Sequence, residues 1–199
     1  QSTYSDHFQW KDGATGAMGF KLEAMPLHPG LASSLMEGVG EMHALDMQKL
    51  KNTHALIALL RDGFSDDSPG GSVTLRDDGV PTVEYPLTDA LRDGFRRSFL
   101  AMAEMQFAAG AVAVKPRQHE ATWFTSWPEC KAAIERFDIE KFRTGMGSAH
   151  VMGGCARGAD PEHAVVDSQG RHHQVEGLSV LDGSLFPTSI GANPQLSIY

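Results

Sequence analysis

Apolar residues recur at helical spacing through the first third of the chain, and this pattern predicts helices. The recurring positions between residues 31 and 60 are Leu31, Leu35, Val39, Met42, Leu45, Leu50, Ile57 and Leu60. Gly38 and Gly40 interrupt the run, and glycine weakens a helix, so we expect a bend or a split there. Residues 1–30 contain several glycines and prolines without a clear period and are predicted to be irregular.

A period of two replaces the helical pattern after a predicted loop at residues 65–71. The alternating apolar positions are Val73, Leu75, Val83 and Tyr85. Asp78-Gly79 lies between the two runs, and this dipeptide is typical of a tight hairpin turn. The stretch is therefore predicted to be a β-hairpin.

Helical spacing returns after the hairpin. Thr88 or Asp89 can cap a helix whose apolar face is formed by Leu91, Phe95, Phe99, Met102 and Phe107, and Gly110 suits its C-terminal end. Residues 111–114 read as a short buried strand, and residues 129–142 as a short polar helix after Pro128. A hairpin with separate helices and little βαβ alternation indicates an α+β fold.

Glycine becomes dense after Thr144, which allows close backbone approach to a flat or charged group. Residues 165–167 and 178–181 look like strands, separated by a turn at 168–170. The tail from Asp182 to Tyr199 reads as a loop that enters a helix at its end.

Composition narrows the classes of function. The chain has 199 residues and a net charge of −8, which argues against a nucleic-acid partner. No apolar run is long enough for a transmembrane helix, and the compartment stays open. Nine histidines occur without CxxC or HExxH spacing, so we predict no metal site. Two cysteines are too few for a disulfide framework and are read as free thiols.

The run S-A-H-V-M-G-G-C, residues 148–155, carries the first candidate chemistry. His150 and Cys155 could form a nucleophile pair, but no third orienting residue is recognisable. His150 could instead act alone as a base, because imidazole titrates near neutrality. Asn193, between Gly191 and Pro194, could then donate a hydrogen bond to a substrate oxygen. A purely structural role in loop hydrogen bonding remains the alternative for both residues.

The order of motifs in the last fifty residues resembles the C-terminal signature of the glucose-methanol-choline (GMC) flavin oxidoreductases. The matching pieces are H-V-M-G-G, V-V-D, G-L-S-V-L-D-G-S and N-P-Q. Shorter pieces upstream, such as Y-S-D-H-F and L-H-P-G-L, are similar to the long-chain alcohol oxidase and sterol oxidase branch. The resemblance implies an antiparallel sheet with packed helices, followed by a segment that returns to an FAD-binding domain.

This resemblance also implies roles for individual residues. His150 matches the base that takes the proton from the substrate hydroxyl while hydride passes to flavin N5, and Asn193 matches the second active-site position. Four residues match flavin-contacting positions: Asp182, Gly183, Pro194 and Gln195. Proline has no N–H, so Gln195 is the expected backbone donor. Cys155 falls at a non-catalytic position.

The sequence departs from the family pattern in one respect: it contains no G-x-G-x-x-G with a ribose-binding acid. We therefore expect residues 1–147 to form a partial substrate-binding domain and 148–199 an active-site and flavin-contacting segment. The N-terminal nucleotide-binding part would come from elsewhere in the same protein or from another chain. The implied reaction is FAD-dependent oxidation of an alcohol, long-chain or sterol-like, to an aldehyde or ketone. The alternatives are an inactive fragment or non-catalytic binding module that keeps the fold, and more distantly a Cys-His hydrolase.

Overall fold

The computed structural model describes residues 4–7, 17–64, 68–119 and 121–199. The chain divides into two units: residues 1–60 with 87–146, and residues 61–86 with 147–199. The predicted assignment of substrate binding to residues 1–147 and of flavin contact to residues 148–199 concerns function and stays a prediction.

A three-stranded antiparallel sheet in the order β1-β2-β3 lies in the first unit. Its strands are β1 (Tyr4–Ser5), β2 (Phe20–Met25) and β3 (Ala55–Leu60). Phe20 pairs with Leu60 and Met25 pairs with Ala55, so β2 and β3 are matched along their whole length. Phe20 and Leu22 are buried on one face of β2, and Lys21 and Glu23 form a 2.6 Å ion pair on the other.

Two expectations about this region were wrong. β2 falls within residues 1–30, which were predicted to be irregular, and β3 falls within the run predicted to be helical. The reason is that A-L-I-A-L-L is a continuous apolar run of six residues, which fits a buried strand as well as a helix. Hydrogen bonding to β2, far away in the sequence, selects the strand.

Five α-helices lie among the described residues: α1 (Pro29–Leu35), α2 (Gly40–Gln48), α3 (Asp89–Ala108), α4 (Trp127–Glu135) and α5 (Gln195–Ile198). Short 3-10 turns occur at Leu50–Asn52, Asp62–Phe64 and Gly183–Leu185. The expected split is confirmed, because Gly38 and Gly40, both with positive φ, separate α1 from α2. The predicted caps of α3 are also confirmed: the Thr88 hydroxyl accepts from the Leu91 N–H at 3.2 Å, and Gly110 follows the helix with φ of +93°.

The main core of the first unit lies between α3 and α4. It comprises Phe99, Ala103, Val114, Cys130, Ile134 and Ile139. The predicted helix at 129–142 is confirmed only in part, since α4 begins at Trp127 and ends at Glu135. The predicted strand at 111–114 is wrong: only Val114 pairs, in an isolated bridge with Phe124, and Val112 is exposed.

A buried carboxylate ties α2 to the segment that follows α3. Asp46 is 8% exposed and accepts from Lys49 Nζ at 2.8 Å, Lys115 Nζ at 2.9 Å and Trp123 Nε1 at 2.8 Å. The apolar side chains Val39, Met42 and Leu45 are exposed, so α2 is anchored at its charged residue rather than by its apolar stripe.

The second unit contains the predicted hairpin, formed by β4 (Ser72–Leu75) and β5 (Pro81–Glu84). Val73 pairs with Val83, which confirms the predicted alternation. The strand-like segments at 165–167 and 178–181 form only isolated bridges, so their prediction as strands was wrong. The predicted turn at 168–170 is confirmed, and the Asp167 carboxylate holds it by accepting from the N–H groups of Gln169 and Arg171. The mixed helices and antiparallel strands confirm the α+β class.

Candidate active site

His150 lies in a bend at the start of the glycine-rich segment of the second unit. Its side chain is half-buried, and it forms no hydrogen bond or ion pair with the other described residues. The imidazole is therefore not committed to holding the loop, unlike several other histidines of this unit.

The segment after His150 runs beside residues 184–187. The Cys155 N–H donates to the Ser184 carbonyl at 3.1 Å, and the Arg157 N–H donates to the Leu185 carbonyl at 3.3 Å. Gly153 has φ of +86°, and a Cβ there would lie 3.3 Å from the Pro187 carbonyl oxygen. Glycine at this position therefore permits both the left-handed backbone and the close approach of the two segments.

Asp182 and Gly183 form a tight turn opposite this segment. The Asp182 carboxylate accepts from the Ser184 hydroxyl at 2.5 Å and from the Ser184 N–H at 2.8 Å. These hydrogen bonds, led by the one from the hydroxyl, lower the pKa of Asp182 below its ordinary value. Asp182 thus caps the 3-10 turn at Gly183–Leu185, which the sequence did not predict.

Asn193, Pro194 and Gln195 lie at the beginning of α5. Pro194 is buried, and its carbonyl accepts from the N–H groups of Ser197 at 2.8 Å and Ile198 at 3.1 Å. Gln195 is the first residue of the helix, where backbone N–H groups have no acceptor within the helix. Asn193 is exposed just before this turn. The prediction of a loop entering a helix at the tail is confirmed.

Three segments that carry predicted site residues meet at Gly183. A Cβ on Gly183 would lie 3.2 Å from Ile198 Cδ1 and 3.5 Å from the carbonyl oxygen of Val151. Val151 follows His150 directly, and Ile198 belongs to the helix that Gln195 begins. The fold of this unit therefore brings together segments that are far apart in the sequence.

His150 and Cys155 do not form a pair in the structure. The hydrogen bond at Cys155 is made by its backbone N–H, and no side-chain hydrogen bond joins it to His150 within the described part of the chain. Cys130 is buried in the core of the other unit, and burial raises its pKa to about 11. Both cysteines are free thiols, as predicted.

Two other histidines of this unit, His172 and His173, form hydrogen bonds that support its turns. The sequence did not predict this role. His172 Nδ1 accepts from the N–H groups of Gln174 at 3.0 Å and Val175 at 3.1 Å. His173 Nε2 lies 3.0 Å from the Gly158 carbonyl. The His172 contacts are local to one turn, whereas the His173 contact with Gly158 joins residues fifteen positions apart and depends on tertiary folding.

The surface around the meeting point is bordered by exposed apolar side chains. Their exposures run from 73% to 93%, and they are Val151, Leu181, Leu196 and Tyr199. Over the described ranges, no cluster of three His, Cys, Asp or Glu side chains could hold a metal ion. None of the helices in those ranges combines the length and apolar character needed to cross a membrane.

Comparison with known proteins identifies relatives of this tail and of most of the chain. The family described as GMC oxidoreductase matches residues 67–199. Two long-chain-alcohol oxidases of Arabidopsis thaliana are 28% and 31% identical over 89% and 76% of the chain, respectively. A cholesterol oxidase of Acinetobacter baumannii is 47% identical over 26% of the chain and 9% of its own length. The chain spans only 24% and 21% of the two plant proteins.

Proposed function

Because this chain belongs to the GMC oxidoreductase family, we propose that it supplies the substrate-side part of a flavin-dependent enzyme that oxidises an alcohol to an aldehyde or ketone. The observation that carries the proposal is the meeting of three segments at Gly183, where the residue after His150 and the helix begun by Gln195 both come within van der Waals reach. Residues placed by family resemblance thus lie on segments that the fold brings together.

His150 is the proposed base. Its imidazole is half-buried and holds no loop hydrogen bond with the described residues, so it is available to a ligand. A neutral imidazole can accept the proton of a substrate hydroxyl near neutral pH. Asn193 is the proposed second active-site residue, whose side-chain amide can donate to the same oxygen as negative charge develops.

The residues present fit an FAD group. The exposed apolar border of the meeting point offers contact to a flat ring system. Asp182, Gly183, Pro194 and Gln195 would hold the flavin, with the Gln195 N–H as the backbone donor because Pro194 has none. A flavin held by these residues would supply the redox chemistry, as the acceptor for hydride from the alcohol carbon.

We propose a long-chain or sterol-like alcohol as the substrate class. Support comes from the names of the relatives, which are long-chain-alcohol oxidases and a cholesterol oxidase. An apolar substrate or a flavin ring could pack against the apolar border, which is formed by Val151, Leu181, Leu196 and Tyr199. The nucleotide-binding part of the FAD site would be supplied by another portion of the same protein or by another chain.

Replacement of His150 by alanine tests the proposed base. In the complete enzyme, we expect turnover of a long-chain alcohol to fall by about 10²–10⁴-fold, while flavin content measured by absorbance stays the same. His163→Ala is the matched control, because His163 is an exposed histidine of the same unit that pairs with Asp160. Near-normal turnover in the His150 variant would remove this residue from the mechanism.

Asn193→Ala should lower turnover by about 10²–10³-fold if the Asn193 amide stabilises developing charge on the substrate oxygen.

The competing hypothesis is a binding module without catalysis. It would be favoured if the complete protein bound a long-chain alcohol but left its flavin oxidised in an anaerobic mixture. Reduction of the flavin under those conditions supports the enzyme.

A further inference from the structure

A cavity in the first unit is lined by none of the residues of the proposed active site. It has a volume of about 390 Å³ and is formed beside the turn at residues 140–144. Its lining includes Glu37, Arg117, Lys141, Phe142, Thr144 and Met146. This volume falls within the range of small-molecule sites, so the charges and geometry of its lining decide what it could bind.

Two cations that line this cavity have no ion-pair partner in the part of the chain that the structure describes. The side chains of Arg117 and Lys141 form neither hydrogen bonds nor ion pairs with the residues that the structure describes. Glu37 lines the same cavity but pairs with neither of them. The cavity therefore keeps an excess of positive charge, although the chain as a whole carries a net charge of −8.

The position of Arg117 is set by Gly145. The Gly145 N–H donates to the Arg117 carbonyl at 2.8 Å. A Cβ on Gly145 would lie 2.4 Å from both Cγ and Cδ of Arg117, so the arginine stem lies across the bare glycine. This contact holds the guanidinium at the cavity wall, and a planar, preorganised guanidinium is well suited to a carboxylate.

Phe142 is the least expected residue of the lining. Its φ is +66°, in the left-handed region that bulky residues avoid, and its side chain is fully exposed. The turn is firmly held, because the N–H groups of Arg143 and Thr144 both donate to the Glu140 carbonyl and the Thr144 hydroxyl donates to the buried Gln118 side chain at 2.7 Å. Strain at a position that gains nothing from burial points to function rather than to stability.

We propose that this cavity binds a small organic anion in which a carboxylate is joined to an apolar group. The carboxylate would accept hydrogen bonds from Arg117 and attract Lys141. The apolar group would cover Phe142 and Met146, which border the same cavity. None of the lining residues is among those proposed for alcohol oxidation, so each proposal is tested with its own variants.

Titration calorimetry on the complete protein tests this proposal, with 4-phenylbutyrate as the probe. Arg117→Gln and Lys141→Gln should each weaken its binding by about 10-fold to 100-fold, since each removes a positive charge beside the carboxylate. Lys141→Gln is the safer variant for folding, because this side chain has no bond to lose among the described residues. Arg136→Gln, an exposed arginine outside this cavity, is the matched control and should bind normally.

Phe142→Gly tests the apolar half of the site. It relieves the positive φ, so it should leave the protein at least as stable while weakening 4-phenylbutyrate binding by about 10-fold. A wild-type protein that does not bind the probe, or binding that survives both Arg117→Gln and Lys141→Gln, would overturn the proposal. Two results together would overturn the apolar half of the proposal by showing a bare anion site: inorganic phosphate binds as tightly as 4-phenylbutyrate, and the Phe142→Gly variant binds 4-phenylbutyrate normally.

Discussion

Replacing Asp46 by alanine should destabilise the protein by about 3–5 kcal/mol, the cost of breaking a buried ion pair from one side. We expect a loss of stability in this range because three donors lie 2.8–2.9 Å from the oxygens of this carboxylate. Lys49 is half-exposed and can be resolvated at little cost. Lys115 and the Trp123 indole are more enclosed, so most of the loss should come from these two donors.

Urea denaturation of wild type, Asp46→Ala and Asp46→Asn measures this effect. The asparagine keeps an acceptor for the indole, so its loss should be smaller, about 1.5–3 kcal/mol for a hydrogen bond to a charged group. Asp93→Ala is the control, since Asp93 forms an exposed ion pair with Arg97 at 2.7 Å and should cost about 0.5 kcal/mol or less. A loss below about 1 kcal/mol for Asp46→Ala would refute the reasoning from burial and hydrogen bonding.

The same variants have an expected dependence on pH. Burial raises the pKa of Asp46, but the hydrogen bonds from Lys49, Lys115 and Trp123 outweigh it and hold the pKa well below the ordinary value of 3.8. A lowered pKa means that this carboxylate stabilises the fold above its unfolded pKa and stops doing so as pH falls through the folded pKa. The difference between wild type and Asp46→Asn should therefore be constant from about pH 5 to 8 and shrink below about pH 4.

Three further changes follow from the geometry. Gly170→Ala should lower stability by about 2–3 kcal/mol, because Gly170 has φ of +77° and a Cβ would lie 2.6 Å from the Val180 carbonyl; an unchanged thermal midpoint would contradict this close approach. A maleimide should label half-buried Cys155 in the native protein and Cys130 only after denaturation, and equal rates would contradict the burial of Cys130. Phe142→Asn should raise stability by about 0.5–1 kcal/mol, since asparagine tolerates positive φ; a loss in thermal denaturation would reveal packing by Phe142.

Local chemistry made some elements predictable. Thr88 caps α3 and Gly110 ends it because both act within one turn of the helix. The hairpin was predictable because two alternating runs flank a turn that ends at Gly79, whose φ of +78° favours glycine. Each of these elements is specified by residues close together in the sequence, so no tertiary information was needed.

Elements that depend on distant partners were missed. β3 could not be distinguished from a helix because its apolar run fits both, and only its pairing with β2 decides. The burial of Asp46 was equally hidden, since its partners Lys115 and Trp123 are far along the chain. In the candidate site, the motif resemblance selected residues 150, 183 and 195. The contacts of Gly183 with Val151 and Ile198 arise from folding, and the motifs could not predict them.

These contacts also constrain how the turn at Asp182 and Gly183 could meet a flavin. Asp182 Oδ1 accepts both the hydroxyl and the N–H of Ser184. The space beside Gly183 is occupied by Ile198 and the Val151 carbonyl. Asp182 Oδ2 accepts no hydrogen bond from the described residues, so a flavin could be contacted here by that oxygen or by the backbone of the turn. On this argument, Asp182 Oδ1 supports the site by fixing that backbone through Ser184, which the sequence did not single out.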